Sequence, residues 1–154
     1  MTNKSIVLKS GLLIAISFFS LFTSEQLSAT DIAGLYSNMV QDTEETGDCS
    51  GYTVRIVKDT SSQPAVYFIA HEGSCLIRGT KAERVEYLEK QDSLSFVVPF
   101  YSTVGRSYYR FQGRITKDCL VGQLNVEYPS EPKYNEVETI KLRRTTQEQL
   151  FPQR

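Results

Sequence analysis

Apolar residues recur at every second position through most of this chain, in short runs broken by turn residues, and this alternation most constrains its fold. The clearest run is SLSFVVPFYSTVGRSYYRFQGRITKDCLVGQLNVE, residues 93–127. Because side chains of a strand alternate between its two faces, the pattern predicts half-buried strands with one apolar face. Links this short join antiparallel neighbours. We therefore expect an all-β protein.

The candidate strands follow one another with short links, which predicts an up-and-down meander. They are 34–41, 51–58, 65–71, 75–80, 83–89, 93–102, 107–116, 119–128 and 137–144. The predicted fold is a single antiparallel meander of eight or nine strands that closes into a small barrel, and the alternative is a β-sandwich. A capping box formed by Thr145 and Glu148 predicts a short C-terminal helix.

Two glycines are expected to face each other across the hairpin formed by the seventh and eighth candidate strands. Pairing positions that sum to 235 places Gly113 opposite Gly122, and sums near 209 place Phe96 opposite Gly113. Glycine inside a strand marks a sharp bend or a close backbone approach. We therefore predict that the sheet curls here, that Phe96 covers the gap, and that Gly105 supplies a positive φ in the preceding turn.

The first 29 residues have the layout of a secretory signal peptide. Lys4 and Lys9 form a basic start, an apolar block covers residues 11–22, and a polar stretch ends at Ala29. This block is shorter than the roughly 20 residues that cross a bilayer, although an uncleaved membrane anchor is the alternative. We predict a signal peptide at 1–29, one β-barrel domain at 30–154, a secreted or periplasmic location and no membrane span after cleavage.

The charge of the predicted mature chain argues against nucleic acid as a partner. Removing Lys4 and Lys9 from 17 basic residues leaves 15, and removing Glu25 from 18 acidic residues leaves 17. A net charge of −2 provides no general attraction for a polyanion.

Three cysteines lie in the predicted exported domain, where an oxidising compartment favours one disulfide and one remaining thiol. If residues 51–58 and 65–71 are neighbouring antiparallel strands, positions that sum to about 124 face each other. Cys49 and Cys75 meet this condition, and we predict that they form the disulfide. Cys119 is then the free thiol, in a turn.

The layout of the chain resembles that of the lipocalin-like group of small secreted barrels. Gly34-Leu35-Tyr36 is similar to the Gly-x-Trp that opens the first lipocalin strand, and IKLRR at 140–144 is similar to the final strand. The resemblance implies that Arg143 or Arg144 stacks on Tyr36 and that the barrel carries a small apolar or amphipathic ligand. Five inward positions form the candidate pocket: Phe96, Tyr109, Phe111, Gly113 and Gly122.

Enzyme chemistry finds little support in the sequence, and we predict neither an enzyme nor a bound cofactor or metal. His71 is the only histidine, which excludes metal sites with several histidines. A thiol–imidazole pair between His71 and Cys75 is disfavoured because we expect Cys75 to be oxidised and His71 to lie on a strand surface. One loop is crowded with carboxylates, but their spacing matches no known calcium loop. These carboxylates are Asp42, Glu44, Glu45 and Asp48.

The outward positions of one strand form the most suggestive surface. They are Arg106, Tyr108, Arg110, Gln112 and Arg114. Arginines beside a tyrosine bind anionic ligands, polysaccharide or an acidic protein partner, and the alternative is a solvated face protected from edge pairing. Because bulky side chains are expected to fill a barrel of this size, we favour an exported binding protein that acts through its outer surface on another envelope or extracellular protein. A carrier of a small ligand is the alternative.

Overall fold

The computed structural model describes residues 31–42, 46–59, 61–75, 78–116 and 118–150. Within these ranges the chain forms ten strands and a helix, α1 (Gln147–Leu150), so the predicted all-β fold with a C-terminal helix is confirmed. The strands are β1 (Gly34–Ser37), β2 (Val40–Gln41), β3 (Cys49–Val57), β4 (Ala65–Gly73), β5 (Thr80–Lys81), β6 (Arg84–Leu88), β7 (Ser93–Ser102), β8 (Gly105–Ile115), β9 (Cys119–Glu127) and β10 (Glu136–Thr145). The predicted signal peptide lies outside the described residues.

One curled antiparallel sheet contains all of these strands and forms a half-barrel. Nine strands follow the order β5-β4-β3-β1-β10-β9-β8-β7-β6, and β2 also pairs with β3. The first and last strands in the chain, β1 and β10, pair with each other. Apart from β2 and the opening between β5 and β6, strands adjacent in the chain are adjacent in the sheet, and the predicted meander is confirmed.

The opening of the half-barrel lies between its edge strands β5 and β6, and the two residues that link them are hydrogen-bonded to β4 and to β7. The Ala82 amide donates to the Val66 carbonyl at 2.8 Å, and the Glu83 amide donates to the Val97 carbonyl at 2.9 Å. Beyond Val97, the rest of β7 pairs only with β8 among the described strands. Pro99 lies in this part of β7, and because proline has no N–H it favours an edge that no further strand extends.

Apolar side chains from the long strands fill the interior of the half-barrel. The largest that are fully buried are Tyr36, Val54, Ile56, Val66, Leu94, Phe96, Phe111, Ile115, Leu120, Leu124, Ile140 and Leu142. The rings of Phe96 and Phe111 stack with their centroids 5.0 Å apart. Removing one large apolar side chain from water contributes about 1.5–3 kcal/mol, so this inward face supplies most of the stabilisation of the fold.

The glycine pair lies where the sequence predicts it, with Gly113 directly opposite Gly122. A Cβ added to Gly113 would lie 2.7 Å from the Gly122 Cα and 2.5 Å from Cζ of Phe111. A Cβ added to Gly122 would lie 2.6 Å from the Gly113 Cα. The two backbones therefore approach each other too closely for any side chain.

The pairing of β7 with β8 differs by two residues from the predicted register. Phe96 pairs with Phe111, and Leu94 pairs with Gly113, so the predicted pairing of Phe96 with Gly113 is wrong. The register is set by a tight turn in which Ser102 pairs with Gly105, whose φ is 110° as predicted. A shift of two residues keeps each side chain on its face of the sheet. Phe111, and not Phe96, consequently covers the glycine pair.

Most predicted strands differ from the observed ones by one or two residues at their ends, and two differ more. The predicted strand 34–41 is interrupted between β1 and β2, where the Asn38 side-chain oxygen accepts the Tyr52 amide at 2.7 Å. The predicted strand 75–80 is wrong, because of its described residues only Thr80 belongs to a strand. Cys75 instead leaves the sheet to reach Cys49.

The capping box of α1 lies one residue later than predicted. The Thr146 amide donates to the Gln149 side-chain oxygen at 2.9 Å, and the Gln149 amide donates to the Thr146 hydroxyl at 3.3 Å. These reciprocal bonds define Thr146 as the cap. The predicted pair of Thr145 and Glu148 shares the same spacing, which is why the sequence pattern was ambiguous by one position.

The predicted disulfide between Cys49 and Cys75 is confirmed, with a distance of 4.9 Å between the Cα atoms. In the ladder Cys49 faces Gly73, so the register differs by two residues from the predicted sum of 124. The chain turns back after Gly73 and brings Cys75 to its partner. Cys119 is free and half-buried, at the first position of β9.

The close approach at the glycine pair can be tested with Gly113→Ala. We expect a loss of about 1–3 kcal/mol in the free energy of unfolding, because the new methyl group displaces the Phe111 ring or separates the strands. Urea unfolding followed by circular dichroism measures this loss. Gln123→Ala, on the exposed side of the same hairpin, is the matched control. Equal stability of the two variants would contradict the close approach.

Removing the disulfide with the double substitution Cys49→Ser and Cys75→Ser should lower the free energy of unfolding by about 3 kcal/mol, because the unfolded chain loses a cross-link. The measurement is urea unfolding of the unmodified and substituted proteins, each with and without a reductant. The reductant should destabilise only the unmodified protein. If the reductant also destabilised the double variant, its effect would not come from the disulfide between Cys49 and Cys75.

Candidate functional site

The outward positions of β8 present one continuous row of polar side chains, which we call the arginine–tyrosine face. It consists of Arg106, Tyr108, Arg110, Gln112 and Arg114. Alternate residues of a strand share a face, so the structure places all five on the side opposite the apolar core. Three of them are exposed, and Tyr108 and Arg110 are half-buried.

Tyr108 lies between two arginines at the centre of this face. The guanidinium carbons of Arg106 and Arg110 are each 5.5 Å from the centroid of its ring. Arg106 Nη2 lies 2.6 Å from Glu83 Oε1, and Arg110 Nε lies 2.6 Å from Glu127 Oε2. Because exposed ion pairs contribute only about 0–1 kcal/mol to stability, the main effect of these carboxylates is to orient the guanidinium groups against the ring.

A cleft of about 460 Å³ lies beside the arginine–tyrosine face, and we call it the polar cleft. Its walls come from β6, β7, β8 and β9. One row of paired residues runs from Arg84 through Val97 and Arg110 to Asn125, and the next row includes Ser95 and Gln112. Guanidinium and amide groups are hydrogen-bond donors that suit a carboxylate or another oxygen-rich group.

Several residues of the polar cleft were not singled out by the sequence. They are Arg84, Glu86, Ser95 and Asn125. Their outward parity is visible in the candidate strands, but their convergence with Arg110 depends on the register of three neighbouring ladders. A correct register between β7 and β8 would have been enough to bring Ser95 beside Gln112.

The five predicted pocket residues lie together on the inward side of β7, β8 and β9. The Phe111 ring occupies the space over Gly113 and Gly122, and the Phe96 ring stacks on it. Tyr109 packs against Phe100, with ring centroids 4.3 Å apart. Protein side chains therefore fill the volume beside the glycine pair.

Two tyrosine–glutamate pairs lie on the inward side toward one end of the half-barrel. The Tyr109 hydroxyl donates to Glu72 at 3.2 Å, and the Tyr52 hydroxyl donates to Glu138 at 2.9 Å. Burial, together with the neighbouring glutamates, raises the pKa of both tyrosines above its ordinary value. The phenols therefore stay protonated and act as hydrogen-bond donors.

His71 lies on the outward side of β4 but is only 3% exposed, so the predicted position on a strand surface is wrong. Its Nε2 is 2.9 Å from the Thr53 hydroxyl, which lies 2.7 Å from the Ser37 hydroxyl. Thr53 is only 2% exposed, so this chain of polar groups joins β1, β3 and β4 as a buried structural network. Cys75 is in the disulfide and has no thiol to pair with His71.

Among the described residues, no group of three histidine, cysteine or carboxylate side chains is placed to hold a metal ion. Asp42 and Asp48 are exposed, and the Asp42 amide donates to the Asp48 carbonyl. Glu44 and Glu45 lie outside the described residues. None of the described helices is long and apolar enough to span a membrane.

Arg144 makes the contact with Tyr36 that the lipocalin-like layout implies. Its guanidinium carbon lies 5.8 Å from the centroid of the Tyr36 ring. The guanidinium also donates to the carbonyls of Asp31 and Ala33, just before β1. These contacts join the first and last strands of the half-barrel.

No protein-family model, no curated protein and no solved structure matches the chain. The resemblance to lipocalin-like barrels therefore stays a prediction.

The buried His71 should make stability depend on pH near neutrality. Desolvation lowers the pKa of His71 below its ordinary value of 6.5, so between these two values the unfolded chain binds the proton that the folded chain does not. The contribution of His71 to stability is therefore complete above pH 6.5 and falls as the pH drops below 6.5 toward the lowered pKa of the folded protein. Urea unfolding of the unmodified protein should show this fall, and His71→Gln should reduce it. If the free energy of unfolding changed with pH in the same way in the unmodified protein and in His71→Gln, the prediction would be wrong.

Proposed function

We propose that the protein is an exported, non-enzymatic binding protein whose arginine–tyrosine face and polar cleft bind another envelope or extracellular protein. The disulfide between Cys49 and Cys75 supports a location outside a reducing compartment. The proposal rests on the arginine, tyrosine and amide side chains on the outward face of β6–β9 and on the contacts that orient them.

The observation that carries the proposal is the position of Tyr108 between Arg106 and Arg110. Tyrosine and arginine dominate the binding energy of many protein interfaces. Ordering long side chains on binding costs about 0.5–1.5 kcal/mol for each one. Glu83 and Glu127 already hold the two guanidinium groups, which lowers that cost.

The arginine at the edge of the polar cleft has hydrogen-bonding capacity left for a partner. Arg110 uses Nε to contact Glu127, whereas a guanidinium has five N–H donors in total. Arg84 lines the same cleft from β6, and Gln112 and Asn125 add amide groups. A carboxylate side chain of a partner can therefore receive several hydrogen bonds at one place.

The distribution of charge favours a protein over a polyanion. Glu83, Glu86 and Glu127 lie among the arginines, so the surface alternates in sign. Such a surface matches the mixed charges of a folded protein and repels a continuous row of phosphates. The filled interior likewise favours binding on the outside over carriage of a ligand inside the barrel.

The proposal predicts that Arg110→Glu weakens binding to the partner at least tenfold, because the carboxylate removes the donors and repels an acidic group. The mature protein, immobilised on beads, captures partners from the extract of the compartment it is exported to. Mass spectrometry then compares the unmodified protein with the variant. Arg143→Glu, the same change on exposed β10, is the matched control. Retention of every captured protein by Arg110→Glu would overturn the proposal.

A further inference from the structure

The other half of the sheet carries a second concave surface, which we call the terminal-helix groove. It has a volume of about 370 Å³ and lies between the outward side of β1 and β3 and the helix α1. Its apolar lining comes from Leu35, Val57, Ile69 and Leu150. Val57 is 41% exposed, which is unusual for a valine in a long strand and leaves apolar surface open to a ligand.

The charged residues that line this groove are both cations. Arg55 and Lys58 line it, and none of the described residues that line it carries a carboxylate. Lys58 forms an exposed ion pair with Asp31 at 3.1 Å. Arg55 has its guanidinium 4.6 Å from the centroid of the Tyr67 ring, a contact that orients the cation without neutralising it.

We infer that the terminal-helix groove binds an amphipathic carboxylate of the fatty-acid class. The apolar lining fits the hydrocarbon tail, and the planar guanidinium of Arg55 matches a carboxylate head in two-pronged geometry. A pocket of about 300–1,000 Å³ with mostly apolar walls and a few polar groups is typical of small-molecule sites.

The site is separate from the proposed protein interface. The groove belongs to β1, β3, β4 and α1, whereas the polar cleft belongs to β6–β9. It also lies outside the filled interior of the half-barrel, since Leu35 and Arg55 are paired residues on the outward side of neighbouring strands. Binding here therefore requires no internal cavity.

The test compares three probes with the same ten-carbon tail and different heads: decanoate, decanol and decyltrimethylammonium. Decanoate and decyltrimethylammonium are titrated below their micelle concentrations, and decanol below its solubility limit, into the disulfide-bonded mature protein by calorimetry. We expect saturable one-to-one binding of decanoate, at least tenfold tighter than binding of decanol, and the weakest binding for the cationic probe. Equal affinities for the three probes, or no saturable binding of decanoate, would overturn the inference.

Two variants locate the head of the ligand. Arg55→Gln should weaken decanoate binding about tenfold and leave decanol binding unchanged, because only the head loses its partner. Lys141→Gln, which also removes one cation but lies on exposed β10 outside the groove lining, is the control, and it should leave decanoate binding unchanged. A similar loss in both variants would contradict the assigned site. This outcome is independent of partner capture, so either proposal can fail alone.

Methyl-resolved NMR locates the tail even if Arg55→Gln does not fold. Decanoate added to the unmodified protein should shift the methyl signals of Leu35, Val57 and Leu150. Shifts confined to interior residues such as Leu94 and Leu124 would place the ligand inside the half-barrel and refute the site.

Discussion

The curl of the sheet depends on the contact between two strand backbones at Gly113 and Gly122. Neither position has room for a Cβ, and the Phe111 ring covers both. A side chain at this place would hold the strands apart and flatten the sheet. Because β8 and β9 can bend here, the inward residues of distant strands meet around one core. Two of the largest buried rings, Phe96 and Phe111, lie next to this bend.

The two sides of the half-barrel differ in whether their strands are paired. On one side β1 pairs with β10, and Arg144 packs over Tyr36 where these strands meet. On the other side the sheet stays open between its edge strands β5 and β6, and the two residues that link them are hydrogen-bonded to β4 and to β7. The strands at the two ends of the chain are therefore paired with each other, and the sheet is open only between strands from the middle of the chain. This arrangement limits the length of exposed strand edge.

The outward side of the sheet divides into two surfaces with different chemistry. Around β8 it is polar and of mixed charge, with Tyr108 held between arginines that carboxylates orient. Around β1 and β3 it is apolar, with cations at the rim and the short helix α1 as one wall. A filled interior leaves both surfaces free to differ, because neither contributes to the main core. This separation favours two binding roles on one small scaffold.

The sequence by itself determined most of the strands, their inward and outward faces, the meander, the glycine pair and the disulfide, because each follows from local alternation or from the geometry of a hairpin. It placed the arginine–tyrosine face correctly on the outward side of β8. Only the tertiary structure decided that Phe96 pairs with Phe111, that His71 is covered, and that Arg84 converges with Arg110. These three features depend on strand register and on contacts between segments far apart in the chain. A shift of two residues in register leaves each side chain on the same face of the sheet but changes its partner on the neighbouring strand.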